Sequence, residues 1–213
     1  MISVANNHSL QFGKAGLFDC IEHLNENGIK SVGLQDKHCR TKMEIINVYN
    51  QEIGFIAYSI QPTEEFKNES FVLSFINENT HLIIEDVKFY CKKVNHLFVS
   101  LHWGHEFVQY PSNIQVELGH AIINAGARGV IRHHPHVIQG IEVYSSGIIA
   151  YSIGNFIFDQ HFPTCLKSAI LELELDDSEI RNYNMRPVKS NKYYQPELPN
   201  ASDTMEIVSD IKK

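Results

Sequence analysis

The sequence predicts an α/β fold built on parallel strands, and three observations carry that expectation. Residues 96–134 read as strand, helix and strand within about 35 residues, the length of a βαβ unit. Three polar clusters each follow a short apolar run: "NNH" after "ISVA", "HWGHE" after "LFVSL" and "HHPH" after "GVIR". In parallel α/β sheets, ligand-binding groups gather just beyond the carboxyl ends of the strands, where these clusters would lie. The chain has 213 residues. That suits one such domain, or one with a tail, able to bury roughly 70% of its unfolded surface.

Each element has a local reason. Leu17, Ile21 and Leu24 form one helical stripe within 16–27, and Gly28 is a C-terminal stop. "SVGL" at 31–34 reads as a strand. "MEIINVYN" and "EIGFIAYS" are strand-like runs that meet near Asn50 and Gln51, as a hairpin would. Residues 62–79 are polar and read as a loop. Between Thr80 and Asn95, Ile83, Val87, Tyr90 or Cys91, and Val94 recur at helical spacing.

"HLFVSL" is an apolar strand ending at His102. Ser112 is positioned to cap a helix through Ala125, closed by Gly126 and followed by the strand "GVIR". "IEVYSSGIIAYSIG" resembles a hairpin turning at Ser145–Gly147, and "SAILELELD" is a further strand. These elements define a domain over 1–186. Beyond Arg186 the chain turns polar, with Pro187, Pro196 and Pro199, so 187–213 reads as a loosely attached tail.

Composition narrows the function classes. The formal net charge is −7 with no long basic block, which argues against a nucleic-acid partner. An acidic protein can still hold an anionic substrate if a metal or a local basic group supplies positive charge. Cys20, Cys39, Cys91 and Cys165 form no CxxC pair, so neither a zinc knuckle nor a disulfide framework is indicated. No bilayer-length apolar run or signal-peptide pattern is present, and the chain as given reads as cytoplasmic.

The clustered groups point to divalent metal. Imidazoles and an amide oxygen bind zinc, manganese or iron. Pro135 restrains the backbone and makes His134 and His136 an HxH pair. Two such ions would activate water and clamp the leaving oxygen of a phosphate ester, or polarise a carbonyl. Read singly, each residue has a structural alternative. His133 would be solvated, Asn7 a turn or cap residue, His102 a core histidine, Trp103 packing and Glu106 a surface charge. Recurrence after three strands is what gathers them into one reading. His23, His38, His81, His96, His120 and His161 have no comparable context.

The stretches "SVANNHSLQFGKAGLFDCIEHLNENGIKSVG", "VSLHWGHEF", "HHPHVIQGIEVY" and "IAYSIGNFIFD" resemble the bacterial capsule-synthesis CapA family, in the family's order, over about residues 2–175. The resemblance implies a calcineurin-like metallophosphoesterase fold, a sandwich of two mixed sheets flanked by helices. It also implies a site for two divalent ions, Mn, Zn or Fe. By that match Asn7, His102, His134 and His136 are metal ligands, and His8 sits over the substrate as a catalytic histidine. Glu106, in the HWGxE motif, is grouped with His8 beside the chemistry. Ser152, Gly154 and Asn155 support the site.

Two departures stand out. Gln11 replaces an Asp common in the family, removing a carboxylate that would orient His8. Relatives also carry an earlier Gly-Asp and an Asn-Leu-Glu motif whose carboxylates bridge the metals. The chain is therefore expected to lack the family's N-terminal segment, and with it any membrane anchor or export signal held there.

The resemblance implies a hydrolase-like role in poly-γ-glutamate capsule synthesis, on an anionic polymer or a phosphate ester, within a membrane-associated synthesis complex. The alternatives are a non-catalytic accessory or scaffold protein of such a complex, and an inactive truncated fragment.

Overall fold

The computed structural model describes residues 1–35, 40–61 and 79–212. His38, Cys39 and nearly all of the expected 62–79 loop lie outside these residues. The chain divides into two compact units: Met1–Trp103 with Ala125–Ala127, and Gly104–Asn124 with Arg128–Lys213.

The first unit begins with β1 (Ile2–Ser3), α1 (Gly13–Glu26) and β2 (Ser31–Val32). β1 and β2 pair in parallel, so α1 is the crossover of a small βαβ unit. The helix stops as its sequence predicts. Gly28 adopts φ +67°, its N–H donates to Asn25 O (2.9 Å), and the Ile29 N–H donates to Leu24 O (2.8 Å). This is a Schellman closure, which needs a left-handed residue at that point. Leu17 on the apolar stripe buries against Val4 and Leu10, with Ile21, Leu24 and Leu34 around them.

β3 (Glu44–Val48) and β4 (Gln51–Ser59) form the expected antiparallel hairpin. α2 (His81–Tyr90) buries Ile83 and Val87, two of the residues that predicted it. β5 (His96–His102) runs parallel to β4, in register from Ile53↔His96 to Ser59↔His102. Ile56, Ala57 and Tyr58 of β4, and Leu97, Phe98 and Val99 of β5, are buried in succession. Consecutive burial is the mark of strands covered on both faces, and it explains why both runs are continuously apolar rather than alternating.

The second unit holds α3 (Asn113–Asn124), β6 (Gly129–His133), β7 (Ile141–Tyr144) and β8 (Gly147–Ala150). β6 and β8 are parallel, and β7 and β8 form the hairpin read at Ser145–Gly147. α3 buries Leu118, Ile122 and Ile123. A 3-10 turn at Pro163–Leu166 leads into β9 (Lys167–Leu175), followed by β10 (Ile180–Ser190), β11 (Pro196–Glu197) and α4 (Ala201–Ile211). These three strands form an antiparallel sheet with β10 in the middle.

The segment beyond Arg186, expected to be a loose tail, is instead folded. Pro187 sits within β10, opposite Ala169 of β9, while β11 pairs only with Lys189 and Ser190. At Pro187 the strand therefore has a partner on one side alone, where proline is tolerated. In α4, the Asn200 side chain caps the first turn by accepting from the Asp203 N–H (2.9 Å). Ile207 and Ile211 pack on Ile138 and Ala169. Four residues apart, they share one helix face, which the polar composition of the segment conceals.

Ion pairs tie α4 down. The Lys167 ammonium lies 2.5 Å from Glu206 Oε1 and 3.1 Å from Asp210 Oδ2. Desolvation works against its charge, but the two carboxylates prevail and hold its pKa above the ordinary lysine value. The contribution is present in full below that ordinary value and is lost only as pH rises through the raised folded value. At neutral pH it is intact. No described helix is long and apolar enough to cross a membrane.

Replacing Lys167 with Met takes from the Asp210 carboxylate, 12% exposed, the ammonium 3.1 Å away. Denaturant unfolding at pH 7 is expected to show a loss of about 1–3 kcal/mol, most of it restored by Lys167→Arg.

Candidate metal centre

Two groups of the expected residues come together, one in each unit. In the first unit, Asn7 follows β1 and is 7% exposed, while His102 is the last residue of β5. Across 95 positions of sequence, the His102 Nε2–H donates to Asn7 Oδ1 at 2.8 Å. The spacing is that of a hydrogen bond, and it joins two residues that the resemblance marks as metal ligands. His8, the next residue, is exposed, and its N–H is turned onto the Asn6 side chain (2.9 Å). Gln11 is exposed nearby in sequence.

In the second unit, Glu106, His134 and His136 each offer a ligand atom, and these atoms lie within 4.8 Å of one another. His136 Nε2 is 4.0 Å from Glu106 Oε1. One carboxylate and two imidazoles form a donor set suited to zinc, manganese or iron. Glu106, grouped with His8 as a catalytic residue by resemblance, thus stands among the prospective ligands.

The backbone that carries these side chains is unusual. His134 has φ +101°, His136 +61° and Phe107 +63°. Such values are uncommon outside glycine and cost of order 1–3 kcal/mol each where strained. Hydrogen bonds hold them in place. The Phe107 N–H donates to Pro135 O (2.9 Å), binding the "HWGHE" loop to the residue between the two histidines. Gln139 Nε2 donates to Val108 O (2.7 Å). The Gln139 N–H donates to Ser152 O (3.0 Å), bringing in a third loop.

That third loop is the "YSIGNF" stretch. The Asn155 carbonyl oxygen meets His136 Nδ1 at 2.9 Å, so Asn155 supports the site as expected. Gly154 makes the placement possible. It has φ +73°, and a Cβ there would collide with the Lys167 carbonyl oxygen. The sequence reading missed Gln160, which accepts from Asn155 Nδ2 at 3.0 Å. It also missed Phe107 and Phe158, whose rings lie 6.0 and 4.9 Å from that of His136. A glutamine five residues after Asn155 carries no signal of its own.

The remaining described histidines are largely accounted for. His133, expected to be solvated, is half-buried at the end of β6, and desolvation lowers its pKa. His120 binds Glu142 (2.8 Å) and stacks on Tyr144. His161 bonds Tyr194, and His96 is buried in β5.

Residues 1–160 match the family model described as bacterial capsule synthesis protein PGA_cap. The chain belongs to this family. Among its relatives is the PGA biosynthesis protein CapA of Bacillus subtilis (strain 168), 30% identical over 193 residues, covering 88% of this chain and 50% of that one. The capsule biosynthesis protein CapA of Bacillus anthracis is 28% identical over 232 residues, covering 100% of this chain and 53% of that one. The chain thus spans about half the length of the curated relatives it matches. The fold is shared with solved 5′-nucleotidases. The 5′-nucleotidase precursor from Thermus thermophilus superposes with a TM-score of 0.56 at 15% identity, over 96% of this chain and 41% of that one. The expected α/β metallophosphoesterase architecture and the expected family are both present.

Gly154→Ala is expected to destabilise the protein by more than Gly28→Ala. Both glycines have positive φ, and at Gly28 a Cβ meets nothing within 4 Å. Gly28→Ala should therefore cost only the left-handed conformation, about 1 kcal/mol, whereas Gly154→Ala adds a backbone collision. Paired denaturant curves check the ranking.

Proposed function

We propose that this chain carries the divalent-metal centre of a CapA-type protein in poly-γ-glutamate capsule synthesis, with hydrolase-like chemistry on a phosphate ester or an amide-type bond. The observation behind the reading is the convergence of Glu106, His134 and His136. A divalent ion bound there would supply Lewis acidity and lower the pKa of water.

The chain's own residues have distinct parts in this reading. His134 and His136 contribute neutral nitrogen ligands and Glu106 an anionic oxygen. Asn7 and His102, paired in the first unit, contribute an amide oxygen and an imidazole toward metal. His8 is exposed and carries the proton for the leaving group, a task suited to an imidazole near neutral pH. The chain has a net charge of −7, so local cationic charge is needed to hold an anionic polymer or phosphate ester. A capsule-synthesis complex at the membrane is the proposed setting.

Bound metal per chain, measured by elemental analysis after loading with Mn²⁺, Zn²⁺ or Fe²⁺, tests the reading. Retained metal that falls to background in His134→Ala and His136→Ala is expected. Background metal in the unaltered protein would contradict it. Turnover of a generic phosphodiester or of γ-linked glutamate oligomers, abolished by His136→Ala, would establish the enzyme. No turnover, with capture of synthesis-complex proteins that survives His136→Ala, would establish an accessory role.

A further inference from the structure

We infer that Gln160 is a positioning residue for His136: acting through Asn155, it fixes the imidazole tautomer that presents Nε2 to the Glu106–His134 side. The inference rests on the metal reading for its purpose, but its physical content is a statement about one proton.

His136 Nδ1 lies 2.9 Å from Asn155 Oδ1. An amide oxygen can only accept, so the proton must be on Nδ1, and Nε2 keeps its lone pair. Which way the Asn155 amide points is decided by its other partner. Asn155 Nδ2 donates to Gln160 Oε1 at 3.0 Å. Turning Asn155 over would set two carbonyl oxygens against each other at that distance. It would also aim an NH₂ group at Nδ1, moving the imidazole proton to Nε2 and removing the lone pair from the side facing Glu106. With Gln160 presenting its oxygen rather than its own NH₂ group, the Asn155 amide and the His136 tautomer two side chains away are set together.

The surroundings limit other escapes. Phe107 lies against the His136 ring at 6.0 Å and 25°, and Phe158 at 4.9 Å and 44°, restricting a ring flip that would exchange the nitrogens. The loop bearing Asn155 and Gln160 is pinned at its start by the Gly154↔Ser168 bridge. Ligating imidazoles are commonly oriented through their second nitrogen in this way, and loss of that partner typically costs about 10–100-fold in metal affinity.

Substitutions at position 160 separate the hydrogen-bond logic from mere packing. Gln160→Glu is an acceptor and preserves the orientation. Gln160→Lys is a donor, which turns the Asn155 amide over. Asn155→Asp accepts on both sides and makes His136 independent of position 160. Long-range ¹H–¹⁵N spectra of metal-free, ¹⁵N-labelled full-length protein read the His136 tautomer directly, and the His120 signal reports whether each variant is folded.

The expected pattern is Nδ1–H in the unaltered protein and in Gln160→Glu, Nε2–H in Gln160→Lys, and Nδ1–H again in the double variant Asn155→Asp/Gln160→Lys. Zn²⁺ titration should show Gln160→Lys weakened about 10–100-fold, with recovery in the double variant. An Nδ1–H tautomer that persists in folded Gln160→Lys, or an Nε2–H tautomer in the unaltered protein, would overturn the inference. If the tautomer switches as expected while no variant binds Zn²⁺, the relay stands and the metal reading falls.

Discussion

The candidate centre of the second unit depends on hydrogen bonds that tie three loops together. The Phe107 N–H to Pro135 O bond and the two bonds of Gln139 fasten residues 107–108, 135–139 and 152 into one piece. Those bonds, with the Asn155 bond to the His136 ring, help hold His134 and His136 at positive φ, where the backbone gains nothing by itself. Strain of this kind persists only when the surroundings over-determine it. Here the surroundings are main-chain groups of three loops and the Gln139 side chain that joins two of them. The fold sets the loops, and the loops set the ligand atoms.

The same unit shows how a polar C-terminal segment is kept in place. The apolar contact of α4 is narrow, Ile207 and Ile211 on Ile138 and Ala169, and cannot by itself be large. Lys167 adds charge at the other end of the problem: it precedes the core residue Ala169 by two positions and reaches Glu206 and Asp210 on the helix. Its carbonyl oxygen also confronts Gly154. One residue at the start of β9 therefore borders both the helix anchor and the loop that supports His136.

Much of this was legible in the sequence, for identifiable reasons. Helical spacing located α1 and α2 through their large aliphatic residues, and the end signals Ser112 and Gly126 located α3. Glycine and turn residues located the hairpins. His102, His134 and His136 stood out because polar clusters recur after three apolar runs, although each residue taken singly has a structural alternative. The centre's supporting groups were less legible. Asn155 was visible through its motif, but Gln160 acts by the orientation of an amide, which leaves no mark on composition. The fold after Arg186 was obscured because β10 is largely exposed and α4 needs only two buried isoleucines, so their polar neighbours dominate the reading. The pairing of Asn7 with His102 joins residues 95 positions apart, and only the folded first unit brings them to 2.8 Å.

The central claim is that Glu106, His134 and His136 hold a divalent cation. A crystal structure of the protein grown with Mn²⁺ or Zn²⁺, with anomalous data collected on either side of the metal's absorption edge, tests it most directly. The account predicts an anomalous peak about 2.0–2.2 Å from His136 Nε2, with His134 and Glu106 in the same coordination shell. A well-ordered His136 with no peak beside it, in crystals saturated with metal, would contradict the account.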